Sequence, residues 1–314
     1  MSEASTTAEG GSLKDLGTLR AKKPRSLWSD AFRQFRHHKL AMAGAIVLIT
    51  FILMVIFGPM IYSGPIRGID FSIGYESPSL QYPMGTTHEG HDIFARIMWG
   101  GRISIAVGIA AMLVGITIGT TIGATAGYFG GFVDSALMRF TDLFISLPVL
   151  PLLLLIIYLF RDTMRDNFGI LMGNFILIVV VIGALAWMPV ARLVRASFLS
   201  IKEKEYIEAA HCIGAKTSSI MLRHIMPNVM SPIIVAATLA VAQAIITEST
   251  LSFLGLGFPP DVPTWGRMLN DAADFVAIHP VMVIFPGAAI FLTVLSINYV
   301  GDGLRDALDP HRTV

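Results

Sequence analysis

Few residues of this chain have the types and spacing for covalent chemistry or metal binding. The stretch HEGHD, residues 88–92, holds four side chains that can ligate metals. Its histidines, His88 and His91, are three residues apart and outside the H-E-x-x-H frame that places two ligands on one helical face. Because Gly90 favours a turn, we expect a surface loop here and no metal site. The single cysteine, Cys212, has no internal disulfide partner and is interpreted as a reduced thiol.

Motifs for nucleotide binding and hydrolysis are also missing from the sequence. Residues 214–217, GAKT, lack the spacing of a Walker A loop, so we do not expect the chain to bind ATP. No G-x-S-x-G motif is present, which argues against a membrane protease. We therefore expect a chain that is not an enzyme and holds no cofactor of its own.

Composition predicts an all-α polytopic membrane protein. Hydrophobic residues make up 54% of the 314 residues, charged residues 14%, and the mean hydropathy is +0.67. The net charge of +1 gives no indication of a nucleic-acid partner. Six apolar segments are each close to the ~20 residues that a membrane-spanning helix needs. These predicted spans are approximately residues 40–62, 103–128, 143–160, 167–191, 228–248 and 277–301.

Two regions follow from these spans: an N-terminal tail, residues 1–39, and a membrane domain, residues 40–314. The first 25 residues have the composition of a disordered segment, and Arg33–Lys39 form a basic collar before the first span. With the N-terminus in the cytoplasm, 17 of the 23 lysines and arginines lie on the cytoplasmic side. We therefore predict that both termini are cytoplasmic.

The predicted spans contain almost no ionisable side chains. Ion-driven transporters use buried ionisable groups for coupling, so any energy source is expected to act from outside this chain. Glu248, at the outer end of the fifth span, is the nearest exception. It could line a path or reach the lipid headgroups, and we favour the headgroups.

The second span carries a stripe of glycines. Gly115, Gly119, Gly123 and Gly127 recur at every fourth residue. Such a small-residue ridge lets another helix approach closely. A flexible hinge for a moving gate is the alternative, but we favour a helix-packing stripe.

The polar interruption Glu205–Pro227, between two long apolar spans, is the most informative segment. Tyr206, Ala209, Ala210 and Ile213 are spaced i, i+3, i+4, i+7 and form one apolar helical face. No lipid covers this face. Two interpretations remain open on these residues alone: a docking site for a partner, or a hairpin packed against the chain's own helices.

A second short helix is predicted after Gly214, which lies where a helix C′ residue with positive φ belongs. Thr217 or Ser218 could cap this helix. Pro227 suits the start of the fifth span, where its missing N–H does little harm. The inward side chains would be Ile220, Met221 and Ile225.

These residues resemble the EAA loop of ABC importer permeases, E-A-A-x3-G-x9-I-x-L-P. Glu208-Ala209-Ala210 begins the match, Gly214 follows six residues after the glutamate, and Pro227 follows nineteen after it. The end departs from the pattern, because His224 stands at the Ile position and Met226 at the Leu position.

Further stretches resemble one branch, the oligopeptide/dipeptide/nickel permeases, and within it the second permease subunit. They are residues 84–104, 127–148, 251–269 and 302–310, so that the resemblance covers nearly the whole chain after about residue 25. The outer loop usually reads G-T-D-x-x-G-R-D in this branch, whereas Thr87 and His91 replace its Asp and Arg here.

The resemblance implies a type I ABC importer permease fold in a prokaryotic plasma (inner) membrane, with residues 192–227 as the coupling loop. It implies three kinds of protein partner: a second homologous permease, two cytoplasmic ATPases that bind ATP and Mg²⁺, and an extracytoplasmic binding protein. Glu208 would fix the loop geometry, Ala209 and Ala210 would allow close contact, and Gly214 would supply the bend. The implied cargo is a dipeptide or oligopeptide. Alternatives are nickel, opines or oligosaccharides, and a stand-alone secondary transporter is a competing class.

Overall fold

The computed structural model describes residues 27–308, with side chains from residue 32 onward, and this part of the chain is mostly helical. A single antiparallel bridge, Thr86 with Asp92, is the β-structure within it. The helices, in chain order, are α1 (Leu27–His37), α2 (Lys39–Ile61), α3 (Ile93–Phe129), α4 (Gly131–Ser146), α5 (Val149–Phe168), α6 (Ile170–Lys202), α7 (Glu205–Cys212), α8 (Thr217–Ser219), α9 (Met226–Phe253), α10 (Trp265–Ala272) and α11 (Val281–Leu308). Residues 1–26 and 309–314 lie outside the described residues, and the predicted disordered segment, residues 1–25, falls entirely among them.

Five helices are long and apolar enough to cross a membrane, namely α2, α3, α6, α9 and α11. α4 and α5 are long and apolar enough only when they are taken together, and the chain bends by 85° between them. The bend occurs at Leu147 and Pro148, where proline lacks the N–H that a continuous helix would need. The predicted span 143–160 therefore falls across a bend, and its apolar residues belong to two helices.

The glycine stripe of α3 lies against α6. A Cβ on Gly119 would lie 2.7 Å from the Trp187 carbonyl oxygen, and one on Gly127 would lie 2.6 Å from Phe198 Cβ. Gly115 and Gly123 face α6 in the same way. The two helices can approach this closely because the glycines present a bare backbone at the crossing.

A second core joins α2, α3, α9 and α11 around Trp265 of α10. The indole is fully buried, and its Nε1 donates a hydrogen bond to the Ile97 carbonyl at 3.0 Å. Gly101 leaves room for the ring, since a Cβ there would lie 2.8 Å from Trp265 Cζ2. α10 therefore fixes one end of the bundle, which we name the cap end, with the cap formed by residues 62–92 and 254–280.

Glu248 lies inside this end of the bundle and does not reach the surface. It is fully buried, and its carboxylate accepts hydrogen bonds from Ser104 at 3.1 Å and Ser252 at 2.7 Å. The favoured prediction that Glu248 reaches the headgroups was wrong. A buried carboxylate needs hydrogen-bond partners, and the hydroxyls of α3 and α9 supply them.

A charged cluster ties the cap to α3. The Arg96 side chain is 3% exposed and lies 3.3 Å from an Asp271 carboxylate oxygen. Arg267 contacts the other oxygen of Asp271 at 2.8 Å, and His91 Nδ1 lies 3.1 Å from Arg96 Nη1 and 3.2 Å from Glu89. A buried arginine with such partners holds α10 and the loop 88–92 against the first turn of α3.

The loop 88–92 contains the predicted turn, but its end is buried. Gly90 has φ +81°, as the turn prediction requires, whereas His91 is 7% exposed and Asp92 is fully buried. Asp92 caps α3, because its carboxylate accepts a hydrogen bond from the Ala95 N–H at 3.1 Å. The prediction of a surface loop was therefore wrong, because His91 and Asp92 are buried at the start of α3.

We expect the cap to lose stability as the pH falls. Burial is the main cause that lowers the pKa of His91 below its ordinary value of 6.5, and the positive charge of Arg96 is the second. His88 also lowers this pKa, whereas the carboxylates of Glu89 and Asp271 raise it. The unfolded chain then takes up a proton more readily than the folded one, so unfolding becomes easier as the pH falls below 6.5. The melting temperature of the purified protein, measured from about pH 7.5 to about pH 5.5, should decrease less steeply in the His91→Gln variant. Equal slopes in the two proteins would contradict this role of His91.

The opposite end of the bundle, which we name the terminal end, holds both described chain ends. Gln34 of α1 donates a hydrogen bond to the Asp306 carbonyl at 2.9 Å, and Phe35 lies against Gly303 of α11. The predicted basic collar thus forms the end of α1 and the start of α2. The segment with α7 also lies at this end, packed against α3 and α6.

Candidate docking site

The first part of the site is the short helix α7, which ends in a glycine turn. Gly214 has φ +75°, and a Cβ added there would have no atom within 4 Å, so its need for glycine is conformational and not steric. Its N–H donates to the His211 carbonyl at 3.0 Å, and the Ala215 N–H donates to the Ala210 carbonyl at 3.1 Å. These two hydrogen bonds are the pattern of a Schellman turn, as the position of Gly214 in the sequence predicts.

The second part runs without a break into the long helix α9. α8 is one turn, and Ile220–Ile225 continue it as a π-helical stretch before Met226. Lys216 is the N-cap residue and makes no side-chain cap bond, so the prediction that Thr217 or Ser218 caps a separate helix was wrong. Pro227 lies at the N-terminal edge of α9, where a proline is tolerated.

One side of α7 is buried against the chain itself. Ile207 is fully buried and Ala210 is 6% exposed, and both belong to a cluster that includes Val194 and Phe198 of α6. Ile220 and Ile225 are fully buried in the same cluster, as the sequence predicts, while Met221 is partly buried. This cluster fixes the site to the terminal ends of α3 and α6.

The other side of α7 is an exposed apolar surface. Tyr206 is 47% exposed, Ile213 is 85% exposed, and Ala209 is also exposed. Leu222, from the π-helical stretch, adds a side chain that is 64% exposed. We name Tyr206, Ala209, Ile213 and Leu222 the exposed face. The prediction that Ala210 belongs to this face was therefore wrong, because Ala210 points inward together with Ile207.

Glu208 makes no side-chain hydrogen bond or ion pair with any residue of the described range 27–308, and its side chain is exposed. Two basic side chains border the exposed face. Lys216 and Arg223 line a groove of about 430 Å³ together with Ser218, Ser219 and Leu222. The surface thus combines apolar side chains with charged groups free to meet a partner, as protein interfaces do.

A brace that sequence reasoning missed connects α7 to the helix crossing. Lys202, at the end of α6, donates a hydrogen bond to the Tyr128 carbonyl at 2.5 Å, and its ammonium lies 5.5 Å from the centre of the Tyr128 ring. The Tyr128 ring stacks on His211 of α7 with 6.4 Å between centroids. These contacts join α7 to the ends of both α3 and α6. The sequence signal that could have indicated this brace is the position of Tyr128 directly after Gly127, the last glycine of the stripe.

Two ion pairs attach α4 to the same part of α6. Arg195 binds Asp134 with two hydrogen bonds, of which the Nη2 to Oδ2 bond is 2.6 Å. Arg192, one turn earlier, contacts Asp142 at 2.5 Å. The Asp134 pair is largely shielded and bidentate, which makes it the stronger of the two.

Comparison with known proteins identifies the family. The model of the family described as "Binding-protein-dependent transport system inner membrane component" matches residues 119–314, which hold the whole docking site. The chain belongs to this family. Residues 26–78 of this permease match a second model, the N-terminal transmembrane domain of oligopeptide transport permease C.

Curated relatives support the same assignment over almost the full length. The permease is 43% identical over 288 residues to the oligopeptide transport system permease protein OppC of Escherichia coli K12, covering 91% of this chain and 92% of that one. It is 38% identical over 286 residues to the dipeptide transport system permease protein DppC of Alkalihalophilus pseudofirmus, covering 91% and 90%. The resemblance to the oligopeptide/dipeptide branch of ABC permeases is therefore confirmed.

A solved structure shows the fold. The permease is similar to a chain from inward-facing conformations of the MetNI methionine ABC transporter, with a TM-score of 0.54 and 16% sequence identity, over 67% of this chain and 94% of that one. The predicted all-α type I ABC importer permease fold is confirmed. With five helices long and apolar enough to cross a membrane, or six with the bent pair, the permease is a multi-pass inner-membrane protein.

Proposed function

We propose that this chain is a permease subunit of an ATP-driven importer and forms half of the path for dipeptides or oligopeptides. The exposed face beside the Gly214 turn carries the proposal, because it is an apolar surface held in place by the chain and left uncovered by it. The relatives named for oligopeptide and dipeptide transport support the cargo. A second homologous permease would complete the path.

In this proposal the exposed face seats on a cytoplasmic ATPase subunit. Two such subunits bind ATP and Mg²⁺ and perform the hydrolysis, while this chain holds no cofactor and catalyses no covalent step. The terminal end then lies in the cytoplasm, and the cap faces an extracytoplasmic binding protein that delivers cargo. The excess of lysine and arginine on the terminal side supports this orientation.

Motion of the ATPases would reach the path through the brace. When the ATPase subunits close on ATP, α7 moves with them, and Tyr128 with Lys202 passes the displacement to α3 and α6. Because α3 and α6 are joined by close glycine contacts, they move as one body. A single rigid pair can thus open one end of the path while closing the other.

Purification in mild detergent tests the assembly. We expect two ATPase chains and one homologous permease to elute with this protein. Elution as a homo-oligomer free of ATPases would overturn the proposal and favour a secondary transporter that works alone.

An aspartate in the exposed face should release the ATPases. Ile213→Asp places a charge in the centre of an interface that would otherwise exclude water, which we expect to weaken ATPase binding by about 2 kcal/mol or more. Since 2 kcal/mol raises a dissociation constant roughly thirtyfold, the amount of ATPase that co-purifies should fall by about tenfold or more, a change that quantitative immunoblotting detects. Ile69→Asp is the matched control, because Ile69 is 62% exposed in the cap at the other end of the molecule. Equal ATPase recovery with Ile213→Asp and Ile69→Asp would contradict docking through this face.

A further inference from the structure

One face of α9 is uncovered within the membrane-spanning part of the bundle. The opposite face is packed, since a Cβ on Gly108 of α3 would lie 2.7 Å from Ile245 Cγ1 and 3.4 Å from Val241 Cγ1. Gln243 stands about half a turn away from both Val241 and Ile245 on the helix, and it is exposed together with Leu239 and Ile246. The free face therefore runs along α9 with Gln243 near its centre.

The position of Gln243 is deep within the helix. It lies ten residues before Phe253, the cap end of α9, which corresponds to about 15 Å along the axis. This is about half of a hydrocarbon layer of ~30 Å. Its carboxamide makes no hydrogen bond within residues 27–308.

Unlike the Gln243 carboxamide, the hydroxyl groups of exposed threonines in the spans form hydrogen bonds within their own helices. Thr50 donates to the Ile46 carbonyl of its own helix at 2.8 Å, and Thr117 and Thr121 bond to the carbonyls four residues earlier at 2.7 Å each. Such threonines need no partner and can face lipid. A carboxamide that has two donor hydrogens and an acceptor cannot be satisfied by lipid tails, so Gln243 requires water, another subunit or cargo beside it.

A second carboxamide lies at the same depth on the neighbouring helix. A Cβ on Gly301 of α11 would lie 3.1 Å from Leu239 Cδ2, which sets the register between α11 and α9. The two helices are joined through α10 and run in opposite directions. Asn298 lies about one turn from Gly301 toward the cap, and Gln243 lies about one turn from Leu239 in the same direction, so the two carboxamides are at the same level. Asn298 is partly exposed and its side chain also makes no hydrogen bond within the described range.

We propose that the free face of α9 lines the translocation path and that Gln243, with Asn298 beside it, hydrogen-bonds the backbone of the peptide in transit. This rests on the proposed function as a peptide importer. Each carboxamide offers the donor and acceptor pair that matches a peptide amide, and neither carries a charge that would select particular cargo side chains. Binding of this kind suits many peptide sequences and leaves the choice among them to the protein that delivers the cargo.

Labelling of introduced cysteines tests whether the free face of α9 is in contact with water. The assembled transporter carries Gln243→Cys or, as a matched control, Leu53→Cys, since Leu53 is 49% exposed on an α2 face whose neighbours Ile46 and Ile49 are apolar. A charged, water-soluble thiol reagent is added, and modification at each position is read by mass spectrometry. We expect Gln243→Cys to react at least about tenfold faster than Leu53→Cys, because apolar surroundings suppress the reactive thiolate. Excess transported peptide should slow the reaction at Gln243→Cys.

Cys212, which is exposed at the terminal end, serves as the internal positive control. If Cys212 reacts while Gln243→Cys is as slow as Leu53→Cys, the face is covered by lipid or by the second permease and the proposal is overturned. Fast labelling that peptide does not slow would overturn the contact with cargo.

Uptake by carboxamide variants gives an independent result. Gln243→Leu should lower peptide uptake severalfold with unchanged recovery of ATPase subunits, and Gln243→Asn should restore most of the uptake. Uptake equal to that of the parent in Gln243→Leu would contradict the cargo contact. Absence of peptide uptake by the parent transporter would instead refute the peptide importer function, so the two failures are distinguishable.

Discussion

Replacing Gly214 with valine is expected to uncouple ATP hydrolysis from transport. Gly214 has φ +75°, and a β-branched residue in that conformation is disfavoured by at least about 1–2 kcal/mol. The Schellman turn that orients α7 would then open, and the exposed face would no longer meet the ATPase in one geometry. We expect cargo-stimulated ATP hydrolysis to fall by about tenfold, the factor that ~1.4 kcal/mol corresponds to. The measurement is ATPase activity of the purified complex with and without loaded binding protein.

Two controls separate backbone strain from added bulk. Gly214→Asn should keep most of the activity, since asparagine adopts positive φ more readily than other side chains. Gly287→Val adds the same side chain at a glycine of α11 that also has open space around it but no positive φ. Full stimulation in Gly214→Val, or an equal loss in Gly287→Val, would contradict a role for the turn.

Replacing Gly123 with valine is expected to prevent folding of the bundle. A Cβ there would meet the Ala191 carbonyl oxygen and would lie 2.8 Å from Val194 Cβ, so helix backbones would have to separate. Overpacking of a rigid crossing costs about 3 kcal/mol or more. We expect the amount of monodisperse protein extracted from membranes to fall to a small fraction of the parent level in size-exclusion chromatography.

Thr121→Val is the matched control on the same helix. Thr121 is exposed, and its hydroxyl bonds only to the Thr117 carbonyl, so valine changes neither shape nor helix contacts. Its yield should equal that of the parent. A normal yield of Gly123→Val would show that α3 and α6 do not depend on close approach at this glycine.

Much of the architecture could be predicted because lipid restricts the choices. Long uncharged segments must form helices in a bilayer, and a glycine at the end of a short apolar helix predicts a left-handed turn, as found at Gly214. The bend at Pro148 was less predictable. A proline in an apolar segment can kink one helix or separate two, and only the surroundings decide which.

The inward and outward faces of the docking site could not be assigned from sequence. α7 carries apolar side chains on more than one side, and which side is buried depends on α6 and on Ile220 and Ile225 from the next segment. Ile207 was therefore missed, and Ala210 was placed on the wrong side. Glu248 was misplaced for a related reason, since its hydroxyl partner Ser104 comes from a distant part of the chain.

Transport by the reconstituted complex tests the central claim most directly. The permease pair, both ATPases and the loaded binding protein would be placed in vesicles, and accumulation of a labelled peptide would be measured with and without ATP. We predict accumulation that requires ATP and the ATPase subunits and that is lost in Gly214→Val. Accumulation driven by an ion gradient without the ATPases would contradict this account.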